Sequence, residues 1–281
     1  MSVVKEQVSK LARRCNQLPL ALKLLLGKKT MATYSSPIVS KLYYVLENFP
    51  INGDVQKTHS EVMAVVNDLS VNGAEIFSTI SGITYYDVRR LLTASTLGSY
   101  GMVLTMIAKY FAPKTVLELG TCIGVSAMYL AGGLESATDL DYSLFTIEAS
   151  EALADIAREN MRKFGVDDKR WNLINDYFEN ALPVFLRENA SIDFVFVDGS
   201  HTYESTLKYF NWLIPNMKND GIMMFDDIRW SHEMFKAWND ICTHGSIKIS
   251  VDLGGMGLCI VQHDPTKHSQ KHFSFPISWQ I

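Results

Sequence analysis

Between residues 115 and 262 the chain alternates two patterns. Short apolar runs occur at Thr115–Leu119, Ser143–Glu148, Trp171–Asn175, Ile192–Asp198 and Gly221–Phe225. Phe194-Val195-Phe196-Val197 contains no polar residue, the pattern of a strand covered on both faces. The stretches between these runs, Val125–Leu134, Ser150–Phe164, Phe178–Arg187 and Tyr203–Met217, carry apolar residues at helical spacing. Ser150 is placed to cap its helix and Gly165 to stop it. Asn219-Asp220-Gly221 reads as a tight turn into the fifth strand. Regular strand–helix alternation implies right-handed crossovers and a doubly wound, mostly parallel sheet of the α/β class. Beyond the fifth strand, Ser231–Ile241 reads as a helix. Ser246–Leu253 and Leu258–Gln262 read as strands joined through Gly254-Gly255-Met256-Gly257, a connection short enough for an antiparallel hairpin.

Residues 1–112 show helical periodicity and little strand signal. Val4, Val8, Leu11 and Cys15 recur at helical spacing, followed by the amphipathic run Leu18–Leu26. Pro37–Asn48 predicts a helix, and Pro50–Asp54 a break. Ser60 is the expected cap of a helix through Leu69 that Val71-Asn72-Gly73 ends. Further helices are expected over Tyr86–Leu92 and Ser99–Phe111. The expected organisation is a helical N-terminal extension (1–97) serving as a cap, lid or oligomer surface, a main domain (98–263) and a tail (264–281).

The 281 residues suffice for one large domain with a well-buried core. A net charge of −4 argues against a broad nucleic-acid surface. Cys15, Cys122, Cys242 and Cys259 form no Cys-x-x-Cys pair, which fits reduced thiols in a cytoplasmic protein. The Leu18–Leu26 run is interrupted by Pro19 and Lys23 and is too short to span a bilayer, so no membrane partner is expected.

In a doubly wound sheet the ligand lies outside the carboxyl ends of the strands. Here every such end is acidic: Glu118, Glu148, Asp176, Asp198, and Asp226-Asp227. The first strand runs into a loop with Gly120 and Gly124, and a helix follows from about Val125. That arrangement lets a ligand sit on bare backbone at a helix N-terminus. A dinucleotide site needs a third glycine, which is missing, and the surrounding acids repel a pyrophosphate. They suit a cationic ligand with an amino group and no phosphate, which describes S-adenosylmethionine.

Glu118-Leu-Gly-x-x-x-Gly124-x-Ser126, Glu148, Val197-Asp198 and Asp226-Asp227 together resemble the class I S-adenosylmethionine-dependent O-methyltransferases, in particular the metal-dependent catechol-type and macrolide-sugar enzymes. The resemblance spans about Gly101–Gln262. It implies a seven-stranded Rossmann-like methyltransferase sheet ending in the antiparallel hairpin, and methyl transfer to a hydroxyl of a small molecule. It assigns Glu118 and Gly120 to the methionine part of the cofactor and Ser126 to its carboxylate, with Gly124 completing the loop. It assigns Glu148 to the ribose and Asp176, Tyr177 and Phe178 to the adenine. Asp198, Asp226 and Asp227 become ligands of Mg²⁺ or a similar cation. Three carboxylates from two neighbouring strand ends repel one another without a cation, and oxygen ligands favour a hard ion.

His201 is the candidate base beside Asp198, where the catechol-type enzymes carry lysine. An imidazole titrates near neutral pH, so its neutral form can accept the hydroxyl proton. The alternatives are a helix cap or a contact to the metal's water. One of Asp226 and Asp227 could instead only cap a loop. Competing functions are a metal-free methyltransferase with another acceptor, a non-catalytic cofactor-binding module, and, more weakly, a NAD-dependent reductase. The apolar N-terminal helices suggest a homo-oligomer.

Overall fold

The structure, a computed structural model, describes residues 31, 36–48, 53–72, 75–80, 83–87, 91–92, 95–264 and 270–275. The helices expected over Val4–Cys15 and Leu18–Leu26 lie outside these residues. In chain order the elements are α1 (Pro37–Glu47), α2 (Gly53–Asn72), β1 (Glu75–Ile80), β2 (Ile83–Asp87), α3 (Ser99–Phe111), β3 (Thr115–Leu119), α4 (Val125–Glu135), β4 (Ser143–Ile147) and α5 (Glu151–Phe164). Then come β5 (Trp171–Ile174), α6 (Phe178–Glu188), β6 (Ile192–Val197), α7 (Tyr203–Leu213), β7 (Met217–Phe225), α8 (His232–Thr243), β8 (Ile247–Asp252), β9 (Gly257–Val261) and β10 (Lys271–Ser274).

The main sheet has the order β10-β8-β9-β7-β6-β3-β4-β5. β3 through β7 are parallel, and β9 is antiparallel to both β7 and β8. The chain runs outward from β3 through β4 to β5, then returns to the other side of β3 as β6. This reversal between β3 and β6 is the switch point at which open α/β sheets bind ligands.

Alternate residues of each central strand enter opposite layers. Val116, Leu144, Phe194 and Phe196 face a layer built from α3, α4 and α5. Leu117, Leu119, Val195 and Val197 face α6, α7 and α8. Both faces are covered, which is why these strands read as unbroken apolar runs. Every residue of α4 from Val125 to Leu134 is buried. A helix enclosed all round is apolar all round, as its sequence shows.

Several expectations are corrected. The sheet has eight strands: β10, from the presumed tail, pairs parallel with β8 and buries Phe273. Tyr86 lies in β2, which pairs with β1 as a separate antiparallel hairpin where helix was expected. Aromatic and β-branched residues such as Tyr85, Tyr86, Ile83 and Thr84 favour a strand locally. α2 starts at Gly53, inside the expected break, so Ser60 is internal and its hydroxyl bonds back to the carbonyl of Gln56 at 2.9 Å. The helix expected to reach Met217 ends at Leu213, because Pro215 turns the chain through the short 3₁₀ turn Ile214–Asn216. Asn219-Asp220-Gly221 lies within β7, where pairing with β6 shifts register and Asp220 takes a φ of 61°.

The N-terminal helices share the core of the sheet domain. Val39, Leu42, Val55 and Val62 are buried in the same cluster as β3 and α4. α4 admits α2 through Gly132, where a Cβ would lie 2.3 Å from the Thr58 side chain. It admits α3 through Gly133, where a Cβ would lie 2.4 Å from the Thr105 carbonyl. Among the described residues no helix is long and apolar enough to cross a membrane.

Candidate active site

The strand ladder fixes each acid through its own backbone. Glu148 N–H donates to Ile174 O (3.0 Å), Asp198 N–H to Leu119 O (2.9 Å) and Asp226 N–H to Val197 O (3.0 Å). The acids therefore stand in a row along the carboxyl edge. Gly120 is forced at the centre of that row. Its φ is 97°, and a Cβ there would sit 1.8 Å from the Asp198 carbonyl oxygen. Only glycine lets the ends of β3 and β6 meet this closely.

On the β4 side, Gly120 and Thr121 N–H both donate to Ile147 O, at 3.1 and 3.2 Å. Glu148 accepts from Cys122 N–H at 2.9 Å and from Ser150 N–H at 2.8 Å, one on each oxygen. Burial raises its carboxyl, and these amides partly offset the rise. Gly124 opens α4 in the left-handed region (φ 84°) without a side-chain cap, so the first turn carries amides available to an anion. Burial and neighbouring Glu148 push the Cys122 thiol up, so it is no reactive thiolate.

Glu118 lies under this loop. It is fully buried, and neither carboxylate oxygen has a hydrogen-bond partner of ordinary geometry. Burial pushes its carboxyl up to about 8, against a lowering by the Ser126 hydroxyl and with a further rise from Glu148. Thr146, its register neighbour on β4, is also buried with an unpaired hydroxyl.

Across the switch point the acids crowd one another. The Thr96 hydroxyl lies 3.0 Å from Asp226 Oδ2 and 3.4 Å from Asp198 Oδ2. Burial and the charges of Asp226, Asp227 and Glu118 raise Asp198 well above the usual carboxylate range. Burial and Asp227 raise Asp226 to about 6. His201 Nε2 stands 3.7 Å from Asp198 Oδ1 and 3.9 Å from Asp227 Oδ2. Burial lowers its pKa and Asp227 raises it, with a net decrease. Helix capping falls to Thr202, whose hydroxyl accepts from Ser205 N–H at 3.2 Å. Cys122, Ser200 and Asp227 each have a left-handed φ (49°, 64° and 53°), so all three loops bordering the site hold strained non-glycine backbone.

The donor chemistry fits a hard cation, since Asp198, Asp226 and Asp227 offer oxygen ligands whose mutual repulsion a cation relieves. As placed, however, no three His, Cys, Asp or Glu side chains among the described residues form a metal-binding group. Thr96 separates two of the expected ligands. Just past the outer strand, Asp176 Oδ1 accepts from Tyr177 N–H (2.7 Å) and Asn180 Nδ2 (2.9 Å), and Tyr177 is 66% exposed. Phe178 is used in packing: it meets Tyr209 edge-on at 5.4 Å and its ring fills the space over Gly199.

A family model described as a methyltransferase domain matches residues 117–228, the stretch that holds all of these acids. Over these residues the chain is similar to a methyltransferase domain. The chain is 26% identical over 143 residues to tapetum-specific methyltransferase 1 of Arabidopsis thaliana and 25% identical over 142 residues to catechol O-methyltransferase of Mycobacterium tuberculosis. These matches take in 51% and 50% of this chain and 59% and 60% of the relatives. Among solved structures, the O-methyltransferase from Bacillus cereus in complex with SAH aligns with a TM-score of 0.56 at 19% identity, over 72% of this chain and 91% of its own.

Two residues that support the candidate site gave no motif signal. Thr96 is a lone hydroxyl in a connector before the matched region. Asn160 is fully buried on α5, and its Nδ2 donates to the carbonyl of Ile123 in the glycine loop at 2.7 Å. A polar residue on the buried face shared by Leu153 and Ala157 is the one readable hint of it.

Proposed function

We propose that the chain is a cytoplasmic S-adenosylmethionine-dependent O-methyltransferase acting on a hydroxyl of a small molecule, with a divalent cation assisting. The observation that carries this reading is Glu118: a fully buried carboxylate with both oxygens unpaired, beneath a glycine loop at an uncapped helix N-terminus. Such a group requires a proton or a cationic ligand. The methionine end of the cofactor is cationic at sulfur and nitrogen and anionic at its carboxylate. Glu118 matches the cationic part, and Ser126 with the first turn of α4 matches the carboxylate. Glu148, oriented by two amides, keeps lone pairs for the ribose hydroxyls. Asp176 and exposed Tyr177 suit the adenine.

The acceptor hydroxyl belongs beside Asp198, Asp226, Asp227 and His201. Asp198, Asp226 and Asp227 would hold the cation, which would supply Lewis-acid activation of that hydroxyl. His201 Nε2 takes the proton. The oxygen then bonds to the methyl carbon as the carbon–sulfur bond breaks, and the bonding pair stays on sulfur, leaving S-adenosylhomocysteine. Holding the oxygen in line with that bond supplies much of the rate.

Calorimetric titration of S-adenosylmethionine into the purified protein tests the core of the reading. Micromolar binding with a rise in melting temperature is expected; no heat and no thermal shift would sink it. A metal-free transfer is the second reading, favoured by Thr96 standing between two of the carboxylates. Full turnover in EDTA decides for it.

A further inference from the structure

The glycine loop is gripped residue by residue. Gly120 and Thr121 are tied to the Ile147 carbonyl, and Cys122 to Glu148. Gly124 rests on α5, where a Cβ would lie 3.3 Å from that of Ala157. Ile123 remains, fully buried, and its carbonyl accepts from Asn160 Nδ2 at 2.7 Å. Asn160 follows Ala157 by three positions, so both stand on the face of α5 that backs the loop.

The amide is a costly choice at this position. Asn160 Oδ1 is buried without a partner. One of its two polar atoms has no partner, and an apolar residue would pack there without that penalty. The Ile123 carbonyl accounts for the residue type. It belongs to the peptide plane that also carries Gly124 N–H, which donates to Thr121 O at 2.8 Å. Fixing this plane fixes the left-handed turn at Gly124 and the direction of the first amides of α4.

We infer that Asn160 is a positioning residue for cofactor binding: acting through the Ile123 carbonyl, it holds the loop and the start of α4 in the shape that receives S-adenosylmethionine. The inference rests on the cofactor reading above. It predicts an effect on affinity, since Asn160 touches neither the acid cluster nor His201.

The test compares Asn160→Ala and Asn160→Asp, which keeps the shape but loses the N–H, with Leu153→Ala on the same helix as a packing control. Calorimetry is expected to show S-adenosylmethionine Kd rising about tenfold in both Asn160 variants, the size of one lost hydrogen bond. KM for the cofactor should rise in step, with kcat at saturation within about twofold. Leu153→Ala should lower the melting temperature at least as much while leaving Kd unchanged. Amide exchange across 121–126 of the cofactor-free protein should quicken in Asn160→Ala and stay unchanged in the control. Wild-type Kd in both Asn160 variants, or an equal rise in the control, overturns the inference. If the wild-type protein binds no S-adenosylmethionine, the cofactor reading fails, and unchanged exchange in Asn160→Ala then overturns the loop-holding role as well.

Discussion

On the β3–β4 side of the cleft, Glu148 has one backbone amide on each oxygen, and every loop residue has an assigned contact. Across the switch point, Asp198 and Asp226 share one hydroxyl, and His201 stands beyond hydrogen-bond reach of Asp198 and Asp227. The first side is a cradle whose unanswered charged group is Glu118, with the buried hydroxyls of Thr121 and Thr146 beside it. The second is a set of like charges held together by the strand ladder against their own repulsion. A cradle suits a ligand that returns unchanged in shape every cycle. A repelling cluster suits one that brings a cation and a reacting hydroxyl, and it strengthens only when they arrive.

The sharpest way to break this contrast is Glu118→Gln. The amide keeps the shape and removes the charge that answers the cationic ligand. S-adenosylmethionine affinity should fall about a hundredfold, the size expected when a buried charged contact is lost. Stability should move the other way. A carboxyl held near 8 keeps a proton that the unfolded chain releases above its ordinary value of 4.5. Its folded state is then favoured at low pH and loses that advantage as pH rises through 8. The melting temperature of cofactor-free Glu118→Gln should therefore gain on wild type from pH 5 to pH 9. A constant difference would show that Glu118 is not a buried, protonated acid.

Asp198→Asn and Asp227→Asn test the other side. Turnover should fall at least about a hundredfold, as for loss of preorganised charge at a reacting centre, with cofactor Kd within about threefold of wild type. EDTA should abolish wild-type turnover and leave cofactor binding intact. If either Asp variant weakens cofactor binding as much as turnover, the two sides act as one network and the contrast fails. Thr96→Val is the milder version. Turnover should drop about tenfold, in the range of outer-shell losses, and Thr96→Ser should restore it because the hydroxyl, not the methyl, meets Asp226.

How much of this was legible in the sequence follows the same division. The central strands, the glycine loop and the acids at the strand ends were readable, because burial on both faces and a single tight turn leave a local imprint. β3, α3 and the start of α4 fall where the pattern puts them. The β1–β2 hairpin was missed although residues 83–86 are β-branched and aromatic, because the helical periodicity of the flanking segments was carried through it. β10 was hidden because a short edge strand is specified by its partner β8, not by its own sequence. Thr96 was invisible for a related reason: its role comes from contacts with residues 102 and 130 positions away. The acid cluster could be named residue by residue, but not the hydroxyl that stands within it.

The smallest expected effect bears on whether the N-terminal helices belong to the site or only to the core. His59 on α2 meets the Tyr129 hydroxyl at 2.6 Å, with the two rings stacked 6.0 Å apart. Tyr129 is fully buried on α4, and burial pushes its phenol up to about 12. The pair thus joins α2 to the helix after the glycine loop. His59→Ala leaves the buried phenol one partner short, at a cost of about 1–2 kcal/mol, or a melting temperature about 2–6 °C lower for a chain of this size. Because the Thr105 hydroxyl still donates to the Tyr129 carbonyl at 2.9 Å, α4 should stay in place, and cofactor Kd and turnover should match wild type. A loss of turnover as large as that of Thr96→Val would show that α2 positions the acid cluster as well as packing on the core, and the boundary of the site would then move into the N-terminal helices.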